Sequence, residues 1–487
     1  MQARQVRSFA PALRLGCTAG GQREHSILAT LLRLTVITLL FLAAANATGR
    51  PQEWKAINYA PRGHPYFRML YDWFSRDAAT GREVRAMADA DLATLQRSGF
   101  NAVHLYLWDQ PTFEDLYRKQ TSRLLEISGL AYPDPALSAN RQWEALDEFI
   151  AMAGKHNLWV IPHFVHTQFN ENLDSLSKME VQQRADTIAT WAGRFISHLS
   201  SRHTNILAWG ALYALEPAPD DRPENPNNYS LLWRKLYVAL KRKIEAESAG
   251  QQPPLFTFLY LPSKGSNIWA PDAQVAPGPL EGYVLDASVA KRRFASMKRH
   301  LSYELGRATE PDLVYTYLFG PDTAALERSL RELTTGQDAV PADRLFIAEF
   351  GISSPFGAYA RATSAFGENG SPTTDLEGQA VWLRQCLCAV RAAGITRSAY
   401  WTLYDAAALW SSPTWSFPDR QVSLNGHWGL AFEDAARGFK PAWKTIQAFH
   451  SGQPFACGAA RAAIAGSRDE PVHFVARPAE YSGGSLR

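Results

Sequence analysis

The sequence predicts an α/β fold, a (β/α)8 barrel of parallel strands with long βα loops. Short apolar runs alternate with amphipathic runs from residue 56 to 450. Strands that alternate with helices in this way imply a parallel sheet. The apolar runs are continuous rather than alternating, which implies burial on both faces. Eight such units over about 395 residues suit a closed barrel. The rival is an open doubly wound sheet, which wants a glycine-rich phosphate turn after its first strand. No GxGxxG stands there.

The elements follow in order. Ala56–Tyr59 is the first strand, followed by a long aromatic loop containing Tyr66, Tyr71, Trp73 and Phe74. Glu83 to Ser98 reads as a helix with Val84, Met87, Leu92 and Leu95 on one face, and Gly99 stops it. Asn101 to Trp108 (NAVHLYLW) is a buried strand, Trp143 to Lys155 a helix and Leu158 to Phe164 (LWVIPHF) a strand. Val181 to Arg202 is a helix and Ile206 to Leu212 a strand; Leu231 to Ala249 is a helix and Leu255 to Tyr260 a strand. Ala290 to Gly306 and Leu313 to Phe319 form the next pair, then Ala324 to Thr335 and Leu345 to Phe350. Asp375 to Ala393 and Ser398 to Tyr404 complete the alternation, and Pro441 to Phe449 closes it with a helix.

Composition narrows the class. Of 487 residues, 46% are hydrophobic and 20% charged, which excludes a disordered chain, a collagen or a coiled coil. Fifteen Trp residues are a heavy load, and Trp faces suit flat apolar surfaces such as the C–H face of a sugar. The net charge of +3 is misleading. Residues 1–47 hold five Arg against Glu24, and without them 45 basic and 46 acidic residues remain. No basic stripe is left to neutralise phosphates, so nucleic acid is not an expected partner.

Leu34 to Ala45 (LTVITLLFLAAA) has the length of a signal-peptide core. Arg33 precedes it and the small-x-small site Ala45-Asn46-Ala47 follows. The domain reading is therefore 1–47 signal peptide, 48–456 barrel and 457–487 a peripheral or disordered extension. The expected location is secreted or periplasmic, with no integral membrane domain after cleavage; a retained anchor from Ile27 is the alternative. A monomer is expected. Cys17 leaves with the leader. Cys386 and Cys388 lie two apart on a helix and cannot ligate one metal together, and either can pair with Cys457. No zinc-type spacing occurs, so no metal and no cofactor are expected.

In such a barrel the chemistry sits at the C-terminal ends of the strands. The polar residues there are Trp108 and Asp109 after strand two, His163 and His166 on and after strand three, and Glu216 after strand four. Tyr315 and Tyr317 follow on strand six, Glu349 on strand seven, and Trp401 and Asp405 on and after strand eight. Two carboxylates across a narrow mouth are what glycosidic cleavage needs. One attacks the anomeric carbon; the other protonates the leaving oxygen and later activates water. Leu345, Ile347 and Glu349 share one face of strand seven by alternation, which is read as the barrel-core face. Gly351 is read as making room for a bound sugar. The plainer alternative for each Glu is a helix cap or an Arg partner. Trp269, Trp410 and Trp415, in loops, suit sugar stacking or packing on a helix. His163 and His166 suit sugar hydroxyls, metal ligation or, with no third ligand in reach, a satisfied strand end, and Asp109 and Asp405 are reserve carboxylates, helix caps or Arg partners.

These residues resemble a known group. RLFIAEFG (Arg344–Gly351) resembles the nucleophile strand of clan A glycoside hydrolases, the group containing the cellulase-like family 5. NILAWGALYALEP (Asn205–Pro217) is similar to the clan's acid/base strand, GFNAVHLYLWD to its second strand and SAYWTLYD to its eighth. HWGLAFEDAARGFKPAW (His427–Trp443) is similar to its closing segment. The resemblance implies a divergent retaining β-glycosidase acting on a poly- or oligosaccharide, with Glu349 as nucleophile, Glu216 as acid/base and Trp401 as the floor of the −1 subsite. The chain departs from the clan pattern at Leu215, where Asn is usual, at His104, where Arg is common, and at Leu318-Phe319-Gly320 in place of His-x-Tyr. Tyr317 is then the residue that supplies the hydroxyl. The alternatives are a non-catalytic carbohydrate-binding barrel and a transglycosylase of exopolysaccharide assembly.

Overall fold

The computed structural model describes residues 49–62, 73, 78–108, 135–165, 173–211, 215–247, 252–259, 286–318, 323–352, 354, 375–405, 428–432, 435–453, 455 and 457. The chain divides into two units, 1–51 and 52–487, and everything below concerns the second. The proposed leader and the extension beyond Cys457 lie outside the described residues. Among the described residues no helix is long and apolar enough to cross a membrane.

Eight parallel strands close into a barrel in sequence order. They are β1 (Trp54–Asn58), β2 (Ala102–Trp108), β3 (Trp159–Val165), β4 (Trp209–Gly210), β5 (Leu255–Phe258), β6 (Leu313–Leu318), β7 (Leu345–Phe350) and β8 (Arg397–Tyr400). β1 closes against β8, with Trp54 opposite Arg397 and Ile57 opposite Tyr400. The helices are α1 (Ala78–Arg97), α2 (Pro135–Lys155), α3 (Lys178–Ser200), α4 (Asn228–Glu247), α5 (Ala287–Leu305), α6 (Thr323–Thr334), α7 (Leu376–Ala392) and α8 (Pro441–His450). The expected (β/α)8 barrel is thus the fold.

Local chemistry explains the helix ends. Several helices start before the apolar periodicity does, because their first turns are set by caps rather than by core contacts. Ser177 and Glu180 make a reciprocal capping box at α3. Asp286 accepts from the backbone N–H of Ser288 and Val289 at α5, and Asp375 from Gly378 at α7. Gly306 ends α5 at φ 65°, a left-handed conformation that glycine adopts without strain. Pro441 opens α8, where its missing N–H costs nothing.

β4 is shorter than the sequence suggests. Ile206–Leu212 is an apolar run, but among its described residues, 206–211, only Trp209 and Gly210 lie in a regular ladder, with an isolated bridge from Val160 to Ile206. The run is still bonded on both sides: Leu207 N donates to Val160 O at 2.8 Å, and Ala211 N to Phe256 O at 2.8 Å.

The core has two layers. One lies between strands and helices and includes Val103, Leu105, Val160, Val314, Leu345 and Ile347. The other fills the barrel and includes Trp54, Ala102, Ile161, Phe256, Tyr315, Phe346 and Ala348. This corrects the reading of strand seven. Leu345 and Ile347 face the helices, and the barrel-facing residues are Phe346 and Ala348.

Cys388 of α7 is disulfide-bonded to Cys457, which resolves the open pairing, and Cys386 is buried as a free thiol. The bond closes a loop with a sequence separation of 69. Cross-links of this kind restrict the unfolded chain. Cys388→Ser should therefore lower stability by roughly 3 kcal/mol in denaturant titration under oxidising conditions. Under reducing conditions the difference from wild type should vanish.

Candidate active site

The site is built on a β-bulge. Up to Thr316↔Ile347 the pairing of β6 and β7 advances one residue on each strand; the next pairs are Tyr317↔Glu349 and Leu318↔Phe350. Between β7 and β8 the pairs are Ile347↔Ser398 and Phe350↔Tyr400, three residues against two. One extra residue in β7 changes which side chains face inward beyond it. Simple alternation would send Glu349 toward the helices with Leu345 and Ile347. The bulge turns it into the barrel instead, beside the inward Tyr317.

Glu349 is 4% exposed and accepts a hydrogen bond from the Tyr106 hydroxyl. Tyr106 follows His104 by two positions, so both point into the barrel from β2. Burial pushes the Glu349 carboxyl up to about 8, and the Tyr106 hydrogen bond pulls only partly the other way. Trp401, just past β8, lies edge-on to Tyr106 with ring centroids 5.9 Å apart. The peptide bond from Trp401 to Thr402 is cis. Tyr317 packs on Phe258 at 5.1 Å. Glu349, Trp401 and Tyr317 therefore gather at one end of the barrel, as the sequence suggests, together with Tyr106, which it does not single out.

His104 and His163 lie deeper. Both are fully buried, their rings stacked at 5.2 Å, and His104 Nε2 is 3.1 Å from His163 Nδ1. Burial lowers His104 to about 3, and burial with the neighbouring imidazole lowers His163 well below its ordinary value. Both rings are neutral at neutral pH, so neither supplies a cation to Glu349. The expectation that they reach sugar hydroxyls is corrected: they bond to each other inside the core. Gly210 permits this, because a Cβ there would lie 2.4 Å from the His163 ring.

Glu216 follows β4 and forms an ion pair with Arg293 of α5. Burial lowers Arg293 to about 10, so it stays cationic at neutral pH. The same segment is strapped to α5 by Ser296 Oγ donating to Ala218 O at 2.8 Å and Arg299 Nη2 to Pro219 O at 3.1 Å. The Arg partner, the plainer alternative for this Glu, is therefore present in the structure.

Asp405, a reserve carboxylate, is structural. Lys440 Nζ donates to it at 2.7 Å and to Ser354 Oγ at 3.1 Å, and Gly429 N donates to it at 2.9 Å. This pair explains the Lys-Pro-Ala-Trp closing segment. Lys440 anchors it, Pro441 starts α8, and Trp443 stacks on Phe100 at 5.8 Å. Gly351 is also reassigned. A Cβ there would meet the Trp401 carbonyl at 2.8 Å and the Trp428 ring at 3.1 Å, so the protein itself, not a sugar, fills that space. Leu215 and Leu318 are both buried. Trp108 ends β2, but its side chain is not described, and Asp109, His166, Trp269, Trp410 and Trp415 lie outside the described residues. Among the described residues no group of three or more His, Cys, Asp or Glu is placed to hold a metal ion.

No protein-family model and no curated protein matches the chain. Solved structures of similar fold include the exo-beta-1,4-mannosidase Op5Man5 from Opitutaceae bacterium strain TAV5, at 14% identity and TM-score 0.47 over 83% of this chain and 60% of that one. The chain thus spans less than two thirds of that protein. A GH5_18 protein from Streptomyces cattleya in complex with GlcNAc is 15% identical with TM-score 0.44, over 86% of this chain and 82% of that one. A GH10 endoxylanase from a sugarcane soil metagenome is 15% identical with TM-score 0.44, over 82% and 98%.

Proposed function

We propose that the chain is a retaining β-glycosidase that hydrolyses O-glycosidic bonds in a poly- or oligosaccharide, secreted or periplasmic, with Glu349 as its nucleophile. The observation that carries this reading is the bulge that turns a buried carboxyl into the barrel mouth against Tyr106, with Trp401 beside it. A carboxylate that attacks the anomeric carbon needs one oxygen free and the other fixed, and a phenol that donates to one oxygen meets that need. Trp401 is the stacking surface for the sugar ring. Glu216 is the acid/base in this reading. The family-level resemblance of the Arg344–Gly351 and His427–Trp443 segments supports it.

A second reading is a carbohydrate-binding barrel without turnover. The Glu216–Arg293 ion pair favours it, because the carboxyl that would serve as acid/base is engaged by a side chain of α5. Where the wild type turns over, kinetics of Glu216→Gln decide whether Glu216 is its acid/base. With an acid/base role, turnover of unactivated glycosides should fall by about 10²-fold or more, while a dinitrophenyl leaving group, which needs no proton, keeps its glycosylation rate. With a strapping role only, both rates stay at wild type and the melting temperature falls. Absence of wild-type turnover on every aryl β-glycoside, with sugar binding retained, establishes the second reading.

A further inference from the structure

Asn58 ends β1 and is fully buried. Among the described residues its amide meets backbone carbonyls. Asn58 Nδ2 donates to the Ala348 carbonyl at 2.8 Å and to the Tyr400 carbonyl at 3.2 Å. The Asn58 backbone carbonyl accepts from Thr402 Oγ1 at 2.9 Å. Ala348 is the residue at the β7 bulge, Tyr400 ends β8, and Thr402 follows Trp401. Asn58 therefore ties β1 to β7 and β8 at the point where the extra residue disturbs their ladder.

The disturbance gives that tie a task, which Asn58 shares at Ala348 with a hydrogen bond from His104 to the same backbone. A bulge withdraws backbone groups from regular pairing, and a buried carbonyl without a donor costs about as much as a lost hydrogen bond. An amide NH2 carries two donors and can serve two carbonyls at once. An apolar side chain of similar size cannot, and a carboxylate there would repel both oxygens.

We infer that Asn58 is a positioning residue, whose amide holds the β7 bulge in the register that turns Glu349 inward against Tyr106. It touches neither sugar nor reacting atoms. It acts through the Ala348 carbonyl on the residue that follows. The role in turnover rests on the glycosidase reading above; the positioning itself does not.

The test is a carboxyl-carbon NMR titration of Glu349 in the full chain carrying ¹³C-labelled Glu, with Glu349→Gln identifying the resonance. Wild type is compared with Asn58→Ala and Asn58→Ser. In wild type the resonance should titrate near pH 8. In Asn58→Ala a released Glu349 reaches water, and its titration should move down by one unit or more. Asn58→Ser keeps one donor and should fall between them. A displaced nucleophile should also cost about 10²-fold in kcat, with KM changed less than about threefold. If Asn58→Ala does not fold, Asn58→Ser alone decides. A Glu349 titration identical to wild type in every folded variant overturns the inference, whatever happens to kcat. Turnover does not enter the titration, so an inactive wild type defeats the glycosidase reading and leaves this result standing.

Discussion

Glu349→Gln is expected to abolish turnover and, at alkaline pH, to make the protein more stable than wild type. Burial raises the Glu349 carboxyl from 4.5 to about 8. A folded-state value above the unfolded one means that the folded chain binds the proton more tightly. The corresponding stability is fully present below pH 4.5 and is lost as the pH rises through 8. Gln carries no proton to lose. The two proteins should therefore be about equally stable in mild acid. Above pH 8 the variant should lead by on the order of 4 kcal/mol, at about 1.4 kcal/mol per unit. Denaturant titrations at pH 4.5, 6.5 and 8.5 check this. Equal stability at all three would mean that the wild-type carboxyl has solvent access or a cation that the buried geometry does not provide. Turnover should fall by several orders of magnitude, because an amide cannot form the glycosyl ester that the carboxylate forms. For the wild type, the acid limb of kcat/KM should lie near pH 8, where the nucleophile ionises.

The second large effect is structural. Lys440 and Asp405 are 0% and 4% exposed and 2.7 Å apart. Removing one partner takes the opposite charge away from the other inside the core. Lys440→Met should therefore cost roughly 3–5 kcal/mol, and so should Asp405→Leu. The double variant Lys440→Met/Asp405→Leu should recover most of the loss, since it buries no charge. A double variant as unstable as the sum of the singles would show that the pair is needed for more than charge neutrality, and the hydrogen bond from Gly429 is then the group to test.

What the sequence makes legible follows from what is local. Seven strands are continuous apolar runs of about the right length, and their helices carry periodic apolar faces with Ser177, Asp286 and Asp375 as caps. Those signals depend on neighbours within a few residues. β4 is misjudged because an apolar run reports burial, not ladder regularity. Alternation with Leu345 and Ile347 would point Glu349 at the helices, and the register shift against β6 and β8 reverses it. Nothing within Leu345–Phe350 announces that extra residue. Tyr106 was within reach, since it alternates with His104 on a strand already marked as lining the barrel. Asn58 and Lys440 were not, because their partners lie 290 and 35 residues away. Glu216 shows the limit of motif reading: a Glu-Pro after an apolar strand looks the same whether the carboxylate faces a sugar or an Arg on the next helix.

Attack of Glu349 on an anomeric carbon leaves a covalent glycosyl-enzyme, which trapping detects. Wild type is incubated with 2-deoxy-2-fluoro β-glycosides carrying a dinitrophenyl leaving group, in the gluco, manno and galacto series, at pH 8. Peptide mass spectrometry should then find one fluorosugar on the peptide containing Glu349 and none in Glu349→Gln. Turnover of the parent glycosides with the label on another residue would contradict the account, as would neither turnover nor label with any of the three sugars.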